Sequence, residues 1–434
     1  MNTYMQLRLI IANIILASFF IFSCHSYSIK TPVETEKRSL GIFEEDLAKD
    51  ITQSSPLSPN IPLGLSAEFD IQYQGAFRAL AKGESSSNSA VGTLAYNIDQ
   101  NSIFLAGHSR ENSIAEFEIP EKLSLDPKIS NIPKAKVLQN YVNVLDKRKV
   151  GNKTNKITGM LYYKNSLLIN SEIWYDAGGK NQDNLLLISD ANNLKGSEYK
   201  GMLQLEGAAE AAGYMSQIPA ELRELFGGRY LTGWASNFSI TSRYSQGPSL
   251  YVFDPQSVIQ ADLTNDKTIP TEAKMVFPYK GNKSLVSGSH KYRDDVSPIW
   301  GALANARYGF IVPDSNVFMV VGYNGGIHGG IGYKIKQDNG RLCGGGCSRE
   351  AKDHYNYYWL FDVNDIINAD EPHKVKPFNY GKWSHPYDKA GGHKVIGGTY
   401  DAKNSRLLLT LSHAGRIGKY DRPPLILSYK IAVK

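Results

Sequence analysis

Eight side chains with chemistry to offer stand just beyond the ends of apolar segments: His108, Glu172, Tyr175, Asp176, Arg243, Tyr323, His328 and His413. The imidazoles of His108 and His413 with the Glu172 carboxylate are a donor set suited to a divalent metal ion, the one cofactor the sequence suggests. Without a metal, Glu172 or Asp176 is the candidate acid or base, with His413 as its catalytic partner. Arg243 would then hold a carboxylate or another anion. The ligand-binding candidates are His108, Arg243, Tyr175, Tyr323 and His328. Tyr175 and Tyr323, with Trp174 and Tyr244, offer flat faces against which a sugar ring could pack. The plainer reading is that such residues line a wet channel mouth. His385 and His393 read as loop histidines. The Gly325–Gly330 run follows no strand-to-helix turn and so does not read as a phosphate cradle, and no nucleophile elbow, zinc-protease helix or nucleotide fingerprint is present.

The elements that must position these residues repeat. Gly92-Thr93-Leu94-Ala95-Tyr96-Asn97 is followed by Asn101-Ser102-Ile103-Phe104-Leu105-Ala106-Gly107-His108, a short strand, a polar turn and a second strand ending in a polar side chain. The pattern recurs at 159–170 and 397–409, and more loosely at 309–320. Third strands with period-2 alternation follow at 114–119, 184–189, 249–254, 358–363 and 425–430, and edge strands near 134–139, 201–205, 274–279 and 374–379. Blade three is expected to take its first two strands from 231–235 and 238–242. Repetition on this scale predicts an all-β β-propeller, with five four-stranded blades as the count that uses every repeat once. The fifth unit lacks its edge strand, and 69–73 continuing to 77–80 can supply it and close the ring. A hairpin hidden in 287–305 would make six blades. A helix is expected at 219–226, between a Pro start and a Gly227-Gly228 stop, in the link between blades two and three. The stretch 322–356 reads as an insertion between the second and third strands of blade four.

This arrangement of a Gly-led strand, an Asn-led strand and a Phe-Asp strand resembles the NHL- and YVTN-style repeats of secreted bacterial β-propellers across most of 66–434. The resemblance implies a propeller fold and an exported compartment, and transfers no catalytic residue. The order of domains expected is a signal peptide at 1–26, a Ser-, Pro- and charge-rich tether at 27–62, and one propeller at 63–434. The apolar run 7–23 is short for a span and is interrupted by Asn13, and Cys24 follows it as in a lipoprotein processing box. Of the three cysteines, Cys343 and Cys347 remain downstream and are expected to form a disulfide in an oxidising compartment. The formal net charge of +6 is modest, and the lysine cluster from Lys147 to Lys156 reads as a solvated loop rather than a nucleic-acid patch.

The expected protein is therefore a monomer that is secreted, periplasmic or lipid-anchored at the envelope, meeting the membrane only through its signal or a lipid on Cys24. Its expected role is to bind a carbohydrate or another cell-surface polymer on its loop-rich face. Two alternatives stand beside that one: a carbohydrate-active hydrolase or lyase with a His/Glu site at the channel mouth, and a protein-interaction scaffold.

Overall fold

Short apolar strands separated by Asn- and Gly-containing turns fold back on themselves as antiparallel hairpins, because those residues accept the left-handed backbone a tight reversal needs. Asn101, Lys164, Asn165 and Ser405 hold positive φ at such reversals. The computed structural model describes residues 69–146, 154–174, 176, 178–236, 244–286, 296–389 and 392–433.

The hairpins assemble into five antiparallel sheets, the blades of a β-propeller. Blade one is Leu94–Asn97, Ser102–Ala106, Ser113–Glu118 and Val137–Asn143. Blade two is Lys156–Tyr163, Ser166–Glu172, Leu185–Ile188 and Tyr199–Leu205, with Thr268–Ile269 added parallel to its outer edge. Blade three is Tyr214–Gln217, Tyr230–Gly233, Leu250–Phe253 and Thr271–Met275. Blade four is Asn305–Ile311, Val317–Gly325, His354–Asp362 and Asn379–Lys382, with Ala235–Ser236 paired to its first strand. Blade five is Val395–Asp401, Arg406–Leu411, Leu425–Val433 and, as its outermost strand, the N-terminal Phe69–Phe77. That last pairing runs antiparallel from Phe69 opposite Val433 to Phe77 opposite Ile426. One blade thus takes strands from both ends of the propeller and closes it, which protects the sheet edge.

The five-blade expectation and the closing strand agree with this structure, and several details differ. Blade three begins at Tyr214, and 231–235 supplies its second strand rather than its first, while 238–242 lies outside the described residues. The helical segment therefore sits inside blade three, between its first and second strands, as a 3-10 turn Ala220–Leu222 running into Arg223–Phe226. Gly227 at φ 72° stops it. The edge strands of blades one and four start three and five residues later than expected, at Val137 and Asn379. Of the 287–305 region, 287–295 lies outside the described residues. The signal, the tether and Cys24 also lie outside them.

The first strand of every blade lies innermost, packed beside the first strands of its two neighbours. At the waist these strands approach backbone to backbone. A Cβ on Gly159 would lie 1.6 Å from the Gly213 carbonyl oxygen, and one on Gly397 would lie 2.1 Å from that of Gly92. The recurring glycine of the repeat is thus a packing requirement between blades. Between the sheets the core is apolar and includes large aromatic side chains: Trp300 and Trp359 are fully buried with ring centroids 5.1 Å apart.

The insertion of blade four is shorter than expected, because the flanking strands extend into it as far as Gly325 and back to His354. It carries the small hairpin Ile331–Tyr333 with Gly346–Ser348. Cys343 and Cys347 are bonded there, with an S–S distance of 2.05 Å. Among the described residues no helix is long and apolar enough to cross a membrane.

Candidate functional site

Three of the innermost strands contain a register break, between Ile157 and Gly159, Ala306 and Tyr308, and Val395 and Gly397. A bulge of this kind leaves one residue out of the ladder and re-aims its side chain. In blades two and four the extra residues are Thr158 and Arg307, and both line a cavity of about 180 Å³ where the first strands begin and the second strands end. Lys156, Glu172, Trp174, Trp234, Tyr244 and Asn305 line it with them. This is the loop mouth of the channel.

Among the described residues that line the cavity, Glu172 is the one acidic side chain, and it is 5% exposed. The Tyr244 hydroxyl donates a hydrogen bond to its carboxylate. Lys156 stands directly opposite Glu172 in the ladder between the first two strands of blade two. Its ammonium donates to the Ser109 carbonyl at 2.9 Å and lies 5.9 Å from the centre of the Trp174 ring. Burial lowers the Lys156 pKa; Glu172 opposes the shift, and Arg307 and Arg110 add to it. Lys156 is thus a half-buried member of the site and not part of a solvated loop; residues 147–153 of that lysine cluster lie outside the described residues.

Arg307 is held between two rings, its guanidinium 5.3 Å from the centre of Trp234 and 5.4 Å from that of Tyr323. Its Nη2 donates to the Tyr323 hydroxyl at 3.0 Å. Lys394 covers the same tyrosine, with Nζ 4.7 Å from the ring centre. Burial alone would push the Tyr323 phenol up, but Arg307 and Lys394 outweigh it and bring it below the ordinary tyrosine value. Burial also lowers Lys394, and Arg307 adds to that shift. Among the described residues the mouth is cationic, and its one lining carboxylate, Glu172, is engaged by a phenol.

Three buried polar atoms in this lining have no hydrogen-bond partner among the described residues: Arg307 Nε, Trp234 Nε1 and Asn305 Oδ1. Trp234 is 4% exposed and Asn305 8%. Buried polar groups are normally satisfied, so two donors and an acceptor left open around one cavity call for an external partner. The sequence matches no known protein-family model and no curated protein.

The other expected residues distribute as follows. Tyr323 belongs to the cationic cluster. His108 lies half-buried at the end of blade one, its Nδ1 3.8 Å from Glu111. His413 holds a positive φ of 57°, and its pKa is lowered by burial and by Arg422 and His393. Among the described residues no three His, Cys, Asp or Glu side chains gather as a metal ion requires, so His108, Glu172 and His413 do not form a three-ligand set. The Asp176 carboxylate accepts the backbone N–H groups of Lys180 at 3.3 Å and Asn181 at 3.0 Å, which makes it a loop brace. His328 is exposed and points to Lys382, 3.3 Å from its Nζ. The glycine-rich loop around it donates the backbone N–H groups of Ile327, His328 and Gly329 to the buried Asp353 carboxylate, so its anion cradle is filled from within the chain. His385 is buried, its Nδ1 2.7 Å from the Tyr429 hydroxyl, and burial pushes its pKa down to about 3. Arg243 and Tyr175 lie outside the described residues.

Lys156, Arg307, Lys394, Trp234 and Asn305 were not legible as site residues. They stand at or near the inner ends of strands, where a bulge or a strand start decides direction. The one available signal was Arg307 itself, a charge inside the apolar run Ala306-Arg307-Tyr308-Gly309-Phe310.

Proposed function

We propose that the chain is an exported β-propeller that binds an acidic sugar, free or at the end of a cell-surface polymer, in the loop mouth of its channel. The observation that carries the reading is the set of open buried atoms, Arg307 Nε, Trp234 Nε1 and Asn305 Oδ1, in a cavity that also holds Lys156. A carboxylate matches the guanidinium and ammonium. A sugar hydroxyl matches the Asn305 acceptor and the indole donor. The Trp174 side chain, half exposed at the rim, offers the flat face on which sugar C–H groups pack. Export is supported by the apolar N-terminal run and by a disulfide suited to an oxidising compartment.

Titration calorimetry with N-acetylneuraminic acid and glucuronic acid, against galactose and glucose, tests this. The acidic sugars should bind at least about tenfold more tightly, and the difference should shrink as salt is raised. Equal affinity for neutral and acidic sugars would sink the proposal.

A further inference from the structure

We propose that the loop mouth is also a hydrolytic centre for glycosides bearing a carboxylate on the anomeric carbon, with Tyr244 as nucleophile and Glu172 as its base. The inference rests on the reading of this cavity as an acidic-sugar site. Tyr244 is 3% exposed, Glu172 5%, and both line the cavity that holds Arg307. The phenol hydroxyl donates to the carboxylate. A phenol is a weak nucleophile until a neighbouring base accepts its proton, and this pair has that arrangement. Trp234 packs edge-on against Tyr244 with centroids 6.5 Å apart and fixes the ring.

The order of the groups carries the substrate class. A carboxylate nucleophile attacking a carbon that itself bears a carboxylate would meet like charge at close range. Here Glu172, the one acidic residue among the described lining, is engaged by a neutral phenol, and Arg307 supplies the cation for the substrate's own carboxylate. A cavity of about 180 Å³ at the loop mouth suits one sugar ring, as a terminal residue would offer.

The steps balance. The Tyr244 oxygen bonds to the anomeric carbon as the glycosidic C–O bond breaks, and the phenol proton moves to Glu172. The departing oxygen takes a proton from the Lys156 ammonium, which lies across the ladder from Glu172 and which burial makes readier to release it. Water then adds to the same carbon and the bond to Tyr244 breaks. The water's proton restores the Lys156 ammonium, and Glu172 returns its proton to the phenolate. Two displacements at one carbon give net hydrolysis with retention of configuration.

The test uses the 4-methylumbelliferyl ketoside of N-acetylneuraminic acid, with the corresponding glucuronide beside it, on the full chain. Wild type should release the fluorophore from the ketoside. Tyr244→Phe should abolish release, and Glu172→Gln should lower it by about 10²–10⁴-fold. Both variants should still bind free N-acetylneuraminic acid by calorimetry, which separates lost chemistry from lost folding. A 2,3-difluoro analogue of the same sugar should add its mass to the peptide containing Tyr244. Binding of the free acid by wild type with no release from the ketoside would overturn the inference and leave the binding reading standing. Absence of both would overturn the binding reading as well. Release from the glucuronide alone, or an adduct on another residue, would also overturn the assignment.

Discussion

The two mouths of the channel differ in a way that volume does not predict. The hairpin mouth, where first strands turn into second strands, holds a cavity of about 800 Å³ against about 180 Å³ at the loop mouth. It is rich in tyrosine, with Tyr96, Tyr162, Tyr163 and Tyr400 half-buried in its wall. Its charges balance: Asp99, Glu221 and Asp314 face Lys164, Arg223 and Arg229. Three of its phenols are bonded to the protein, Tyr162 to Asp99 at 2.5 Å, Tyr96 to Asn101 at 3.3 Å and Tyr163 to Gln256 at 3.4 Å. Tyr308 there accepts the Tyr400 N–H at 2.9 Å. Among the described residues of that lining, no buried side-chain polar atom is left without a partner, whereas the smaller mouth leaves three. A large space lined by satisfied groups gives a ligand little to recognise, and a small one lined by open groups gives it a reason to bind.

The comparison can be broken at several points. The largest effect should fall on the scaffold that both mouths share. Phe77, fully buried in the closing strand, should cost about 3–5 kcal/mol of stability as Phe77→Ala, read by urea unfolding. Ligand-saturated protein should show the same loss, since neither mouth contains the side chain. Next, Arg307→Ala should weaken binding of N-acetylneuraminic acid by about 2–5 kcal/mol in calorimetry, while Tyr163→Ala at the hairpin mouth leaves it unchanged. Loss of binding with Tyr163→Ala and not with Arg307→Ala would reverse the assignment of the two mouths.

A smaller effect follows from His385. Its folded pKa of about 3 lies below the unfolded histidine value, so the unfolded chain takes up a proton first as pH falls. Its contribution is intact above the unfolded value and is lost as pH drops towards about 3, with a slope of up to about 1.4 kcal/mol per pH unit. Urea midpoints of wild type and His385→Gln between pH 7 and pH 4 should therefore converge as pH falls, and parallel curves would contradict the assignment. The smallest effect is expected at Trp174, 50% exposed over Lys156, where Trp174→Ala should reduce acidic-sugar binding by about 0.5–1 kcal/mol.

Much of the fold could be read from the sequence because a propeller writes each blade separately. Alternation identified third strands such as Leu250–Phe253 and Leu425–Val433, and the missing edge strand of blade five pointed to the segment that closes it. Blade three resisted because its first strand, Tyr214–Gln217, is only four residues long and a helical turn separates it from its partner. The site was half legible. Glu172 and Tyr323 lie where strand ends should place them. Arg307 and Thr158 enter the channel through register breaks, and a one-residue bulge leaves the hydrophobic pattern around it almost intact. His108 and His413 both follow the ends of second strands, which is what the repeat made legible, but among the described residues no third ligand gathers with them as a metal ion would need.

The most direct test of the central claim is a crystal structure of the full chain with N-acetylneuraminic acid bound. The account predicts the sugar in the loop mouth, its carboxylate within hydrogen-bond distance of Arg307 Nε and a hydroxyl on Asn305 Oδ1. A sugar seated instead among the tyrosines of the hairpin mouth, with Arg307 Nε still open, would contradict it.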